Sequence, residues 1–185
     1  MNRRKLLALG LAPAGAAVLR LRAAASAAPM AGLAPLAAAS WALSPQDARA
    51  HHGWSSFDQE RPLYLEGRAA KVAWRNPHAE LELELPANPR LPADLATRPL
   101  PPQAAAVDGP ALLRAARLPT RPERRWVVEL APLTRMNAWK VAEIKAGDAV
   151  ALLGFTFTGE KGDAVLRAEY LWAGGGVYGL RSGPA

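Results

Sequence analysis

From about residue 61 onward, apolar and polar positions alternate in short runs separated by glycine and proline, and a period of two predicts strands rather than helices. The cleanest run is Ala79 to Leu85, in which Leu81, Leu83 and Leu85 alternate with Glu80, Glu82 and Glu84. Ahead of it, Arg61 to Val72 opens on Pro62 and reads as a first long strand, with Gly67 marking a bulge or a sharp coil. Trp74-Arg75-Asn76-Pro77-His78 lies between the two and predicts a turn, because Asn-Pro favours turn initiation and the residue before a proline avoids the helical region. Further strands are expected over Arg125 to Leu130, Ala149 to Phe157 and Val165 to Trp172, with a Gly-rich hairpin at Thr158 to Asp163. Leu133 to Ile144 changes period: Leu133, Met136, Trp139, Lys140 and Ile144 recur at near-helical spacing and predict a short helix packing Trp139 inward. Lys145-Ala146-Gly147-Asp148 then reads as a turn.

Five strands with one short helix between the third and fourth predict an all-β domain, a small five-stranded barrel of the oligonucleotide/oligosaccharide-binding (OB-like) type. An immunoglobulin-like sandwich needs about seven strands, which the pattern does not supply. Residues 86–122 stand apart, with nine prolines among scattered Ala, Asp and Arg. That stretch reads as an inserted flexible loop of the barrel domain 51–172, with two turns of helix over Ala111 to Leu118. Residues 173–185, which begin Ala173-Gly174-Gly175-Gly176, read as a loose tail.

The first 50 residues have neither period. Asn2-Arg3-Arg4-Lys5 precedes an apolar run from Leu6 to Leu19, the layout of a secretory leader. The Arg3-Arg4 pair resembles a twin-arginine export signal, although Asn2 precedes it where Ser or Thr is usual. The apolar run falls short of the roughly 20 residues of a membrane span. Two sites satisfy the small-x-small cleavage rule, Ala25-Ser26-Ala27 and Ala48-Arg49-Ala50. The expectation is a protein exported to the bacterial periplasm, with no stable span after processing.

Charge qualifies one inference. The 185 residues carry a formal net charge of +7, which by itself suggests nucleic acid. Of the 23 Lys/Arg and 16 Asp/Glu, however, residues 1–50 hold six and one, leaving 17 against 15. The remainder is nearly neutral, and a nucleic-acid partner is not expected. The chain has no cysteine, which excludes disulfides, thiolate metal sites and a cysteine nucleophile.

Candidate chemistry concentrates in the three histidines, His51, His52 and His78. Cleavage after Ala50 would make His51 the first residue, with a free amine beside two imidazoles, and nitrogen sites of that kind suit Cu(II) above other divalent ions. Cleavage after Ala27 would leave Ala28 to Ala50 as a tail and remove the amine from the site. His78 closes the set if the N-terminal segment folds back over the barrel, and Asp58 and Glu60 are candidate outer partners. The bland alternative is surface histidines, with His78 bonded to a turn carbonyl. A copper-dependent redox enzyme is a third possibility, since a histidine brace can activate oxygen, but no substrate surface argues for it. Glu80, Glu82 and Glu84 read as a solvated strand face, and Ser55 and Ser56 lack a nucleophile-elbow context, so no enzyme motif is found. Trp54, Trp74, Trp126 and Trp139 read as core; exposed instead, Trp54 and Trp74 beside Arg75 and Asn76 would form a stacking platform for a sugar or aromatic ligand. That platform is the alternative function, a non-metal ligand-binding module or one that docks an envelope protein.

His51-His52-Gly53-Trp54-Ser55-Ser56-Phe57-Asp58, Leu65-Glu66-Gly67, Trp74-Arg75-Asn76-Pro77-His78, Trp139 and Lys145-Ala146-Gly147-Asp148 together resemble the secreted bacterial proteins of the domain of unknown function 6152 family, over about 51–84 and 125–172. The resemblance implies an exported small β-barrel and no assigned activity. The Pro-rich insert and the long leader depart from the family pattern.

Overall fold

The computed structural model describes residues 53–185. Strands β1 (Leu63–Ala73), β2 (Glu80–Glu84), β3 (Arg125–Glu129), β4 (Ala149–Phe155) and β5 (Val165–Ala173) form a closed barrel in which β1 pairs antiparallel with β2 and β4, β2 with β3, and β4 with β5. A parallel β3–β5 pairing, Val127 to Glu129 against Val165 to Arg167, closes the ring. Helix α2 (Leu133–Ala138) lies between β3 and β4. The OB-like reading therefore holds, down to the place of its helix.

Alternation fills the barrel. Leu65, Leu81, Leu83, Trp126, Val128, Leu152, Leu166 and Leu171 point inward and are buried, with Met136 of α2 over one end. Two glycines let the strands coil tightly: a methyl at Gly67 would collide with the Glu84 carbonyl, and one at Gly154 with the Arg167 carbonyl. The ladder shifts register beside Gly154, between Leu153 and Gly154, and again in β1 between Ala69 and Lys71.

Three expectations need correction. The helix stops at Ala138, because Lys140 takes a left-handed φ of 53°; Val141 and Ile144 reach the core from the loop that follows. The segment read as a loose tail carries strand β6 (Gly176–Gly179), paired with β5 through Tyr170 to Ala173. Gly174 and Gly175 supply the two positive φ values of its tight turn, 57° and 79°, and Leu180 is fully buried beyond it. The Pro-rich insert also packs. Its helix α1 is Gly109–Ala115, starting two residues and ending three residues earlier than expected, with Asp108 capping the Ala111 N–H at 2.9 Å. Leu95, Leu113 and Ala116 are buried against Tyr64, Leu153 and Tyr170 on the outer wall, a second apolar cluster outside the barrel. Among the described residues no helix is long and apolar enough to cross a membrane.

Candidate functional site

The parallel closure sets up a row of side chains across the outer wall. Cα partners run Phe155 to Arg167, Arg167 to Glu129, Glu129 to Glu80 and Glu80 to Ala73, one residue from each of five neighbouring strand positions. At its centre the Arg167 Nη1 donates to Glu129 Oε2 at 2.9 Å, with both side chains buried. A third apolar cluster, Phe57, Phe155 and Val165 with Trp54, Val127 and Phe157 against it, borders this pair.

The segment entering β1 is fastened to the same wall. Asp58 N–H donates to the Thr156 carbonyl at 2.8 Å, and Phe57 stacks on Phe157 with centroids 5.1 Å apart. The Trp54 ring stands edge-on to Phe155, with the Arg181 guanidinium 3.7 Å from its centroid and that of Arg167 at 4.9 Å. Arg181 in turn donates through Nε to Glu169 Oε2 at 2.7 Å and through Nη1 to Gln59 Oε1 at 2.8 Å. Glu169 is wholly buried and also accepts from Gln103 of the insert at 3.0 Å. Arg135 donates to the Leu180 carbonyl at 2.7 Å; burial, and then the like charge of Arg167, lower its pKa below the usual arginine value.

Of the predicted metal ligands, His51 and His52 lie outside the described residues. His78 is half-buried and continues the β2 ladder: Ala79 donates to the Ala131 carbonyl at 3.0 Å and accepts from Leu130 N–H at 2.9 Å. Ala79 points into the core, and Glu80, the first residue of β2, pairs with Glu129 on the outer wall; His78 precedes the strand. Among the described residues, no group of three or more His, Asp or Glu is arranged to hold a metal. Of the two candidate outer partners, Asp58 is half-buried and its Oδ1 accepts the Glu60 N–H at 3.2 Å, while Glu60 is exposed.

The aromatic platform is not assembled. Trp54 belongs to the cluster around Phe155 and lies beneath Arg181, whereas Trp74 packs against the barrel core, and no ring contact joins them. Arg75 and Asn76 are exposed in the turn. Trp126 is core, as expected, and Trp139 is partly buried with its Nε1 donating to the Ser182 carbonyl at 2.8 Å. Glu80, Glu82 and Glu84 share the outer face of β2 but are half-buried rather than solvated, and Glu82 pairs with Lys71 at 2.9 Å and Glu84 with Arg125 at 3.1 Å.

Sequence reasoning missed Arg167, Glu129, Glu169 and Arg181. The signal lay in Arg167 and Glu169, charged residues two apart in a strand that is otherwise apolar, whose common face therefore has to be polar or paired. On the opposite side of β1, an open cavity of about 590 Å³ separates the end of β2 from the insert. Beside it Tyr64 Oη donates to Glu66 Oε2 at 2.7 Å and accepts from Arg98 Nη1 at 3.3 Å.

Closed topology and a fastened N-terminal segment define a small all-β barrel protein with a buried ionic row on its outer wall. Residues 39–89 match the model of a family of unknown function, DUF6152. The matched segment includes His51-His52 and Asn76-Pro77-His78, while Trp139 and the Lys145–Asp148 turn lie beyond it. Comparison with curated proteins and with solved structures gave no match.

Proposed function

We propose that this is an exported periplasmic binding protein that takes up one copper ion through His51, His52 and His78. The observation that carries this reading is the outer-wall row. Trp54, whose ring contacts Arg167, is two residues from His52, a reach of at most about 7.6 Å between Cα atoms. From Arg167 the row crosses to Glu129 and then Glu80, two strand spacings or about 10 Å, and His78 precedes Glu80 by two residues. The reading requires the segment before Gly53 to bring His51 and His52 to His78, and the attachment of Trp54 to the wall of Arg167 and Glu129 supports that course. On this wall Arg167 is paired with Glu129 and Arg181 with Glu169, Arg135 adds a positive charge near Arg167, and the Glu80 carboxylate is two residues from His78. Imidazole and amine nitrogens with a carboxylate in reach favour Cu(II).

The reading includes export, since only removal of a leader after Ala50 frees the His51 amine. The platform alternative needs both indoles on one surface, and Trp54 and Trp74 belong to separate clusters. The test is mass spectrometry of the mature N-terminus with a copper titration. A start at His51 and one tightly held copper, weakened by His78→Ala, supports the proposal; a start at Ala28 with no uptake overturns it.

A further inference from the structure

Two prolines leave a gap in the ladder on the free edge of β1. Tyr64 N–H donates to the Arg117 carbonyl at 2.8 Å, away from β4, while Ala69 N–H donates to Asp148 on the β4 side at 2.9 Å. Backbone groups alternate between the two edges of a strand, so Tyr64, Glu66 and Arg68 all turn theirs away from β4. Tyr64 meets Arg117, and Arg68 meets Glu84. Glu66, between them, has no such partner. Extending the Arg68–Glu84 register by two residues puts Pro86 opposite Glu66, and extending the parallel Leu63–Arg117 bridge by two reaches Pro119. Neither proline has an N–H to donate, and no backbone hydrogen bond among the described residues joins Glu66 to either segment. The 590 Å³ cavity opens at this place, lined by Glu66, Gly67, Pro86 and Pro119.

We propose that this gap is a peptide-binding site, taking a short extended peptide that ends in a free carboxylate. The peptide adds main-chain hydrogen bonds to the open Glu66 edge and lays its carboxylate against Arg90 and Arg124. Length selects a chain end: the unpaired stretch, Leu65 to Gly67, is about 10 Å long, too short for a passing strand. Charge selects the carboxyl end. Three arginines line the cavity, Arg68, Arg90 and Arg124, against two acids, Glu66 and Glu84; Glu66 accepts from the Tyr64 hydroxyl, Glu84 pairs with Arg125 and Arg124, Arg124 also donates to the Leu85 carbonyl, and Arg68 donates to the Gly147 carbonyl. The exposed Arg90 has no ion-pair partner among the described residues. Pro86, Pro89 and Leu118 make the remaining wall apolar, which suits small apolar side chains, and the volume lies within the range of ligand pockets.

The test is a titration of the ¹⁵N-labelled mature protein with tri-alanine, followed by amide shifts. The proposal predicts shifts confined to Glu66, Gly67, Arg68 and the facing residues Asn88 and Leu118. Tri-alanine amide should bind about tenfold more weakly, as should tri-alanine N-methylated at its central residue. Arg90→Ala should weaken the free acid and leave the amide unchanged. No shift up to about 10 mM peptide, shifts elsewhere on the barrel, equal binding of the N-methylated peptide, or the same shifts from acetate alone would each overturn it.

Discussion

Arg167 donates to Glu129 at 2.9 Å across the parallel strand pair that closes the barrel. A buried pair of this kind adds little over an apolar pair, but it is costly to break from one side. Arg167→Met should cost about 3–5 kcal/mol, because it leaves the Glu129 carboxylate buried without its guanidinium, and the Arg167→Met/Glu129→Leu double variant should recover most of that loss. Urea unfolding of the three proteins measures this directly. A single variant as stable as the parent would remove the pair from the account of closure.

The insert depends on Glu160. Its carboxylate accepts from Thr120 N–H and Oγ1, from Arg121 N–H at 3.1 Å, and pairs with Arg61 at 2.8 Å. Glu160→Ala should lower stability by about 3 kcal/mol, the scale of losing charge-assisted bonds to buried donors. Hydrogen exchange should quicken first at Thr120 and Arg121, while amides of β2 keep their protection. Uniform quickening over the whole barrel would contradict a local clasp.

Strand coiling makes the next prediction. Gly67→Ala and Gly154→Ala each drive a methyl into a carbonyl of the neighbouring strand, at Glu84 and Arg167 respectively. Each should cost at least about 2 kcal/mol. Gly53→Ala, where an added methyl meets only ordinary contact, serves as the control, and thermal melts of the three variants should separate them.

Acid and alkali act at different places. Hydrogen bonds from Arg121, 2.9 and 3.0 Å to its two oxygens, hold the Glu123 carboxyl at about 2, against 4.5 ordinarily. The unfolded chain takes up that proton near pH 4.5 and the folded chain only near 2, so the contribution of this pair is present above 4.5 and is lost as pH falls to 2. A carboxyl carbon titration of Glu123 with a midpoint near 4.5 would refute it. At the other end, burial first, and then the bond to Glu66, push the Tyr64 phenol above 10. The folded chain then keeps a proton that the unfolded chain releases, so stability falls as pH rises past 10, and Tyr64→Phe should flatten that slope.

Much of the barrel was legible because its strands alternate cleanly. Leu81, Leu83 and Leu85 against the glutamates of β2 can only face a core one way, and Met136 lies on the helix expected between β3 and β4. Strand β6 was missed although Gly174-Gly175 is a hairpin signal, because three successive glycines also mark a chain end. The insert was read as flexible from its prolines, yet Leu95 and Leu113 have a place to pack only once Tyr64 and Tyr170 are known to face outward. The ionic row was hidden for a different reason. Arg167 and Glu129 are 38 residues apart, and only the parallel closure brings them together. His78 was legible as a residue, while the place of its neighbour Glu80 beside Glu129 follows from the register of β2 against β3.

The most direct measurement of the central claim is electron paramagnetic resonance of the copper-loaded mature protein, compared with its His78→Ala variant. The account predicts one Cu(II) per chain with nitrogen couplings in the parent and one coupled nitrogen fewer in the variant. Identical spectra from the two proteins would place His78 outside the coordination sphere and contradict it.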